Sequence, residues 1–230
     1  DNLLLHIGLQ GEKISNDEVP PSNIVFLIDV SGSMDAPNKL PLLKNAMKLL
    51  VGQLRPTDRV AIVVYAGSSG LVLPSTPGDQ KARIISALER LQAGGSTAGA
   101  AGLKLAYEVA DRNFIRDGNN RIILATDGDF NVGPSSNAEM ERMIESYRNK
   151  GIFISVTGFG IGNYKDDKME IIADKGNGNY AYIDNLMEAK KVFINEFTST
   201  LYTIAKDVKI QIEFNPIWIL TSFAMVYSVL

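Results

Sequence analysis

The sequence contains no cysteine and only one histidine, His6, and these absences exclude several kinds of site at once. Without thiols the chain has no disulfide framework, no thiolate zinc site, no cysteine nucleophile and no cysteine that could carry a lipid anchor. His6 lies far upstream of the motifs described below, and we interpret it as an arm or surface residue. The candidate ligands that remain are chiefly oxygen atoms.

The sequence also lacks an excess of positive charge and a long apolar run. Its formal net charge of −3 disfavours a general nucleic-acid binder, because such a protein needs a basic face. The longest apolar stretch, residues 217–230, is about six residues short of a membrane-spanning helix. We interpret it as a buried strand or a truncated continuation, and we expect no transmembrane segment in this chain. The first residue is Asp1 and not methionine, so we expect a processed or excised piece whose signal or lipid anchor lies outside it.

What the sequence does contain is a regular alternation of short apolar runs with amphipathic periods. The runs are typical of strands buried on both faces, and the periods of three and four are typical of helices. We predict strands at 23–29, 59–65, 71–73, 121–126, 152–159 and 179–184, and helices at 40–54, 84–91, 97–114, 137–150, 165–175 and 186–204. This order predicts an α/β domain with a doubly wound, mostly parallel sheet of about six strands and helices on both faces.

The length of 230 residues suits one domain with short appendages. We place an N-terminal arm or linker at 1–21, the α/β domain at 22–205, and a C-terminal strand and apolar tail at 206–230. Within the third helix, the small residues at 98–102 are expected to let the helix pack closely on the sheet.

Oxygen ligands gather at the predicted carboxyl ends of the strands, where doubly wound sheets bind their ligands. The first strand ends in Asp29, and Gly32 permits a tight turn that can bring Ser31 and Ser33 towards the same point. Thr97 lies in a glycine-rich loop, and Asp127 follows the strand at 121–126. The five candidate metal residues are therefore Asp29, Ser31, Ser33, Thr97 and Asp127.

These ligands are all hard oxygens, which suit Mg²⁺, Mn²⁺ or Ca²⁺ and poorly suit zinc or copper. Three of them are neutral hydroxyls, so a cation held by them stays strongly electrophilic. Mg²⁺ needs about six oxygens, and waters or an incoming carboxylate would complete the set.

The pattern Asp29-x-Ser31-x-Ser33, followed by Thr97 and then Thr126-Asp127-Gly128, resembles the metal-ion-dependent adhesion site of von Willebrand factor type A domains. The resemblance covers roughly residues 22–199. It implies that Ser31, Ser33 and Thr97 contact the metal directly, that Asp29 and Asp127 act largely through water, and that a protein partner offers an Asp or Glu to the metal. The run TDGDFNVG looks most like bacterial extracytoplasmic members, which implies a periplasmic or cell-surface location, with the cytoplasm left open.

Other interpretations of the same residues fit less well. A phosphatase of the haloacid dehalogenase type needs a second acid two residues after the first Asp, and that position is Ser31. A serine nucleophile at Ser96 would need a preceding strand and a histidine base. The glycines at 158–162 are better interpreted as a strand-to-helix turn than as a dinucleotide loop, and Asp129 as a solvated acid.

The sequence therefore predicts a divalent-cation-dependent protein-binding domain, adhesive or assembly-related, and not an enzyme. The alternative left open is a regulatory or scaffolding module that acts with a separate ATPase or other enzyme. Metal-dependent affinity for a surface or matrix ligand favours the first function, and co-purification with an ATPase favours the second.

Overall fold

A computed structural model describes residues 19–96, 99–128, 130, 137–160 and 166–196. Apart from Val19, these residues fall within one unit of the chain, Pro20–Tyr202. A second unit, Asp1–Val19 with Thr203–Leu230, lies outside the described residues except for Val19. Most of the predicted N-terminal arm and all of the predicted C-terminal strand and tail therefore lie outside the described residues as well.

The centre of the fold is a six-stranded sheet in the order β3-β2-β1-β4-β5-β6. Its strands are β1 Ser22–Asp29, β2 Arg59–Tyr65, β3 Ser69–Pro77, β4 Asn119–Thr126, β5 Ile152–Phe159 and β6 Tyr180–Ile183. Every pairing is parallel except that of β2 with β3. The predicted α/β fold with a mostly parallel sheet is confirmed, and the short strand predicted at 71–73 is a longer antiparallel edge strand.

Helices cover both faces of this sheet. They are α1 Leu40–Gln53, α2 Lys81–Glu89, α3 Gly99–Arg112, α4 Asn137–Asn149, α5 Asp166–Lys175 and α6 Leu186–Lys190. Alternate side chains of β1 point to opposite faces: Phe26 packs in a core with α1, α2 and α6, and Leu27 packs in a core with α3, α4 and α5. Burial on both faces explains why β1 is a continuous apolar run.

Small residues in α3 allow this helix to approach the sheet closely, as predicted. A Cβ added at Gly102 would lie 2.7 Å from Cβ of Tyr65 on β2, so a larger residue would push the helix away. Tyr65 is itself fully buried, and its backbone pairs with Asp29 at the end of β1. The packing of α3 therefore fixes the position of Tyr65 beside the end of β1.

The last described helix differs from the prediction of one continuous helix over 186–204. It begins at Leu186, where Asn185 Oδ1 accepts bonds from the amides of Met187 and Glu188. After Lys190 the helix changes to a π-helical turn, Lys191–Glu196, and residues 197–204 lie outside the described part. Apolar periodicity locates a helical segment but does not tell whether its backbone hydrogen bonds have α-helical or π-helical spacing. Within the described residues, no helix is long and apolar enough to cross a bilayer.

Candidate metal centre

The carboxyl ends of β1 and β4 lie side by side, because these two strands are parallel neighbours in the middle of the sheet. The chain leaves β1 for β2 on one side and later returns to β4 on the other side, so the two strands form the switch point of the sheet. Asp29 ends β1, and Asp127 directly follows β4. The fold therefore brings together two acids that are 98 positions apart in the sequence.

Each oxygen of the Asp29 carboxylate accepts a hydrogen bond that holds the side chain in place. The backbone amide of Ser31 donates to Oδ1 at 2.9 Å, and the hydroxyl of Thr126 donates to Oδ2 at 3.1 Å. Burial raises the pKa of the Asp29 carboxyl above its ordinary value, an effect that these hydrogen bonds partly offset and the charge of Asp127 reinforces. Asp29 is thus an oriented, buried carboxylate whose charged form a nearby cation would stabilise.

The hydroxyls of Ser31 and Ser33 converge, with 3.1 Å between the two Oγ atoms. Ser31 is buried and precedes a short 3-10 helix, Gly32–Asp35, whereas Ser33 is exposed on the first turn of that helix. The buried side chain of Met34 anchors the turn in the core, and its amide donates to Ser31 O at 3.0 Å. The predicted convergence of the two serines is therefore present in the structure.

The glycine-rich loop before α3 lies against the loop that carries the serines. The amide of Gly94 donates to Val30 O at 2.8 Å, and the amide of Gly32 donates to Gly95 O at 3.0 Å. Gly95 has a φ of +81°, and a Cβ there would lie 3.1 Å from Gly67 N, so both conformation and space favour glycine. Thr97 follows two residues later and lies outside the described residues, so its place at the site stays a prediction.

Asp127 forms an ion pair that the sequence does not reveal. Its Oδ2 lies 2.8 Å from Nζ of Lys39, the residue that precedes α1, and the same ammonium donates to Ser33 O at 3.0 Å. Asp127 is buried, and Lys39 is partly exposed. Lys39 is 88 residues away from Asp127 in the sequence, and no local motif marks it.

Two further residues at the site, Thr126 and Tyr65, had no predicted role there, although Thr126 stands in the motif Thr126-Asp127-Gly128. Thr126 donates to Asp29 and accepts the amide of Gly128 at 3.1 Å, so it links β1 to the turn after β4. Tyr65 lies beside them with a buried hydroxyl that has no hydrogen-bond partner among the described residues. Burial, together with the negative charge of Asp29, raises the pKa of Tyr65 well above its ordinary value. The position of Thr126 directly before Asp127 was the only available signal for its role.

The residues present fit a hard divalent cation. The hydroxyls of Ser31 and Ser33 and the carboxylates of Asp29 and Asp127 lie at the ends of the neighbouring strands β1 and β4, and all four side chains offer oxygen. The ammonium of Lys39, held between Asp127 and Ser33 O, shows that a positive charge is accommodated there. Within the described part of the chain, no group of three or more Asp, Glu or His side chains could hold a metal. A metal in these residues would therefore depend on hydroxyl ligands.

The chain is thus a doubly wound α/β domain with a group of hydroxyl and carboxylate side chains at the end of its first strand. The chain belongs to the von Willebrand factor type A domain family, whose model matches residues 23–196. A second family model, described as the C-terminal part of the uncharacterized protein YfbK, matches residues 199–224.

Relatives of the chain include the uncharacterized protein YfbK of Escherichia coli (strain K12), which is 51% identical over 216 residues. The match covers 94% of this chain and 38% of that protein, so this chain spans well under half the length of its relative. Among solved structures, a von Willebrand factor type A protein from Catenulispora acidiphila is 25% identical, with a TM-score of 0.65 over 78% of this chain and 42% of that one.

Another solved structure is proximal thread matrix protein 1 from the mussel byssus with a zinc-occupied MIDAS motif. It is 24% identical, with a TM-score of 0.60 over 79% of this chain and 46% of that one. At this level of identity the likeness concerns the fold alone.

Proposed function

We propose that this domain binds one divalent cation at the end of β1 and uses it to hold an acidic group of a protein partner. Ser31, Ser33 and Thr97 would contact the metal directly, and Asp29 and Asp127 would act largely through water. The observation that carries the proposal is the convergence of the two serine hydroxyls, 3.1 Å apart, near two buried carboxylates at the ends of adjacent strands.

The chemistry of the ligands favours Mg²⁺, with Mn²⁺ and Ca²⁺ as alternatives, because hydroxyl and carboxylate oxygens are hard ligands. The zinc in the mussel thread protein is a property of that protein. When bound, the metal would supply a Lewis-acidic position that takes up an anionic oxygen. The three hydroxyl ligands are neutral, so they leave much of the metal charge uncompensated and favour a carboxylate from outside.

Calorimetric titration with Mg²⁺ and with Mn²⁺ tests the metal site. The wild-type protein is expected to bind one cation, and the Ser31→Ala/Ser33→Ala double variant is expected to lose this binding. Ser86→Ala is a control, because Ser86 is exposed on α2 and its hydroxyl accepts a hydrogen bond from Arg90 at 2.9 Å. Equal binding by the wild type and the double variant would refute the site.

The partner part of the proposal needs a separate test with the metal controlled. Proteins from an envelope extract are captured on the immobilised domain with Mg²⁺, with chelator, and on the Ser31→Ala/Ser33→Ala variant with Mg²⁺. A partner of the proposed kind is retained only in the first case, and substitution of one of its Asp or Glu residues abolishes its binding. Retention that survives both chelator and the double substitution would contradict the mechanism.

We propose that the domain binds without turnover, since the hydroxyls of Ser31 and Ser33 would serve as metal ligands and not as nucleophiles. We also propose a location outside the cytoplasm, which fractionation of cells that express the full-length protein tests directly.

A further inference from the structure

Lys39 occupies a place that local helix rules do not explain. It is the N-cap residue of α1, where side chains that accept hydrogen bonds are favoured and where a positive charge faces the positive end of the helix dipole. Its side chain makes no capping bond to the described turn. The ammonium is instead bonded to Asp127 Oδ2 at 2.8 Å and Ser33 O at 3.0 Å.

The side chain of Lys39 also lies against the residue that follows a third strand, β5. Gly160 follows β5 with a φ of +113°, and a Cβ there would lie 3.0 Å from Cε and 3.4 Å from Cγ of Lys39. The Lys39 stem therefore runs over a glycine that leaves room for it. Segments after β1, β4 and β5 together define where the ammonium lies, so its contact with Asp127 is part of the packed structure and not an exposed surface pair.

We propose that Lys39 is a built-in counter-ion of the metal-free site, and that a divalent cation must displace its ammonium from Asp127 to bind. The inference rests on the metal site proposed above. Asp127 is buried, so its carboxylate needs a positive partner in the metal-free protein, and Lys39 provides one. The metal would approach the same carboxylate and the same serine, and the two positive charges would repel each other.

The consequence is a metal site whose affinity for the cation is lowered by Lys39. Lys39 stabilises the metal-free form and competes with the metal, so the domain would be stable without metal and would respond to changes in metal concentration. Lys39 acts through Asp127 and is a positioning residue, not a metal ligand.

Removal of the ammonium with retention of the stem tests the competition. Lys39→Met is expected to bind Mg²⁺ and Mn²⁺ at least about tenfold more tightly than the wild type in calorimetric titrations, because the repulsion is lost. Lys48→Met is the matched control: it removes one lysine charge within α1, where Lys48 pairs with Glu89 at the C-terminal end of α2. Lys48→Met should bind metal as the wild type does.

The outcomes separate the two proposals. Unchanged or weaker binding by Lys39→Met, with normal binding by the wild type, would overturn the competition and leave the metal site intact. Binding by neither protein would refute the metal site and the inference with it. Binding by Lys39→Met alone would support the inference, provided that Ser31→Ala/Ser33→Ala in the same background abolishes it.

A second measurement uses the wild-type protein and does not depend on how the variant folds. Reductive methylation of lysines, quantified by mass spectrometry, is carried out in chelator and in saturating Mg²⁺. Modification of Lys39 should increase with metal, because its ammonium is released from Asp127, whereas modification of Lys48 should stay constant. Equal modification of Lys39 in both conditions, at a metal concentration where binding is established, would overturn the proposal.

Discussion

The hydroxyl of Thr126 connects two parts of the site that the backbone alone does not join. It donates to Asp29 and accepts from Gly128, so it sets the position of one carboxylate and the path of the turn that carries Asp127. Its side chain is buried, and water cannot replace the two bonds. The backbone pairing of β1 with β4 sets their register, and Thr126 adds a side-chain link between Asp29 and the turn that carries Asp127.

Thr126→Val keeps the shape of the side chain and removes the hydroxyl. We expect a loss of about 1 to 3 kcal/mol in the free energy of unfolding, because a buried carboxylate oxygen loses its donor. Metal affinity should fall by about ten- to a hundredfold, as is usual when a group that orients a ligand is removed. Chemical denaturation and calorimetry measure the two effects.

Thr157→Val provides the matched control on the neighbouring strand β5. Its hydroxyl is buried and donates to Leu124 O at 3.1 Å, two residues before Thr126 on β4. This variant should lose stability and keep its metal affinity. The same loss of metal affinity in both variants would mean that Thr126 acts only on the stability of the sheet.

Arg121 on β4 is a second buried polar residue, and no described carboxylate pairs with it. Its guanidinium donates to Ser155 Oγ at 2.6 Å and lies over the ring of Phe153, while its Nε has no partner among the described residues. Burial lowers the pKa of Arg121 to about 10. The folded protein thus holds this proton less tightly than the unfolded chain does, and the charged form opposes folding.

Arg121→Met is therefore expected to be more stable than the wild type at pH 8, by about 1 kcal/mol or more. The free-energy penalty of the buried charge is complete below the folded pKa of about 10 and decreases as the pH rises from there towards the ordinary pKa of an arginine. The difference in the free energy of unfolding between the two proteins should shrink between pH 8 and pH 11. A difference that grows over this range would contradict the assignment of the penalty to burial of the charge.

Among the helices and strands, the contact of α3 with β2 positions Tyr65 beside the end of β1. Gly102 lets the helix approach Tyr65 so closely that an added Cβ would lie 2.7 Å from Tyr65 Cβ. Gly52 in α1 offers a contrast, because a Cβ there would meet nothing within 4 Å. The two glycines have the same intrinsic cost in a helix, and only one of them is required by packing.

Gly102→Ala should therefore destabilise the protein by about 1 to 3 kcal/mol, because the helix or the tyrosine must move. Gly52→Ala should instead stabilise it by about 0.5 to 1 kcal/mol through helix propensity alone. Thermal unfolding of the two variants measures the difference in sign. A stabilised Gly102→Ala protein would show that α3 is not held as closely to β2 as the structure indicates.

For the molecule as a whole, the sheet could be predicted from the sequence because parallel strands that are buried on both faces appear there as continuous apolar runs. Asp29, Ser31 and Ser33 were predictable for the same reason: they follow such a run within five residues. The antiparallel direction of β3 and the π-helical turn after α6 were not, because neither changes the apolar pattern.

The partners that organise the site were hidden for a different reason. Thr126 is 97 residues from Asp29, and Lys39 is 88 residues from Asp127, so these contacts exist only after the sheet has formed. In the sequence, a lysine before a helix is ordinary and predicts no particular contact. In the structure, Lys39 contacts Asp127, Ser33 and Gly160, which follow three different strands.

A crystal of the protein soaked with Mn²⁺ and measured for anomalous scattering would show whether Ser31 and Ser33 hold a divalent cation at the end of β1. One dominant anomalous peak is expected within about 2.2 Å of both serine Oγ atoms, with the ammonium of Lys39 no longer bonded to Asp127. No peak at the serines under saturating Mn²⁺, or a dominant peak elsewhere, would refute the proposed site.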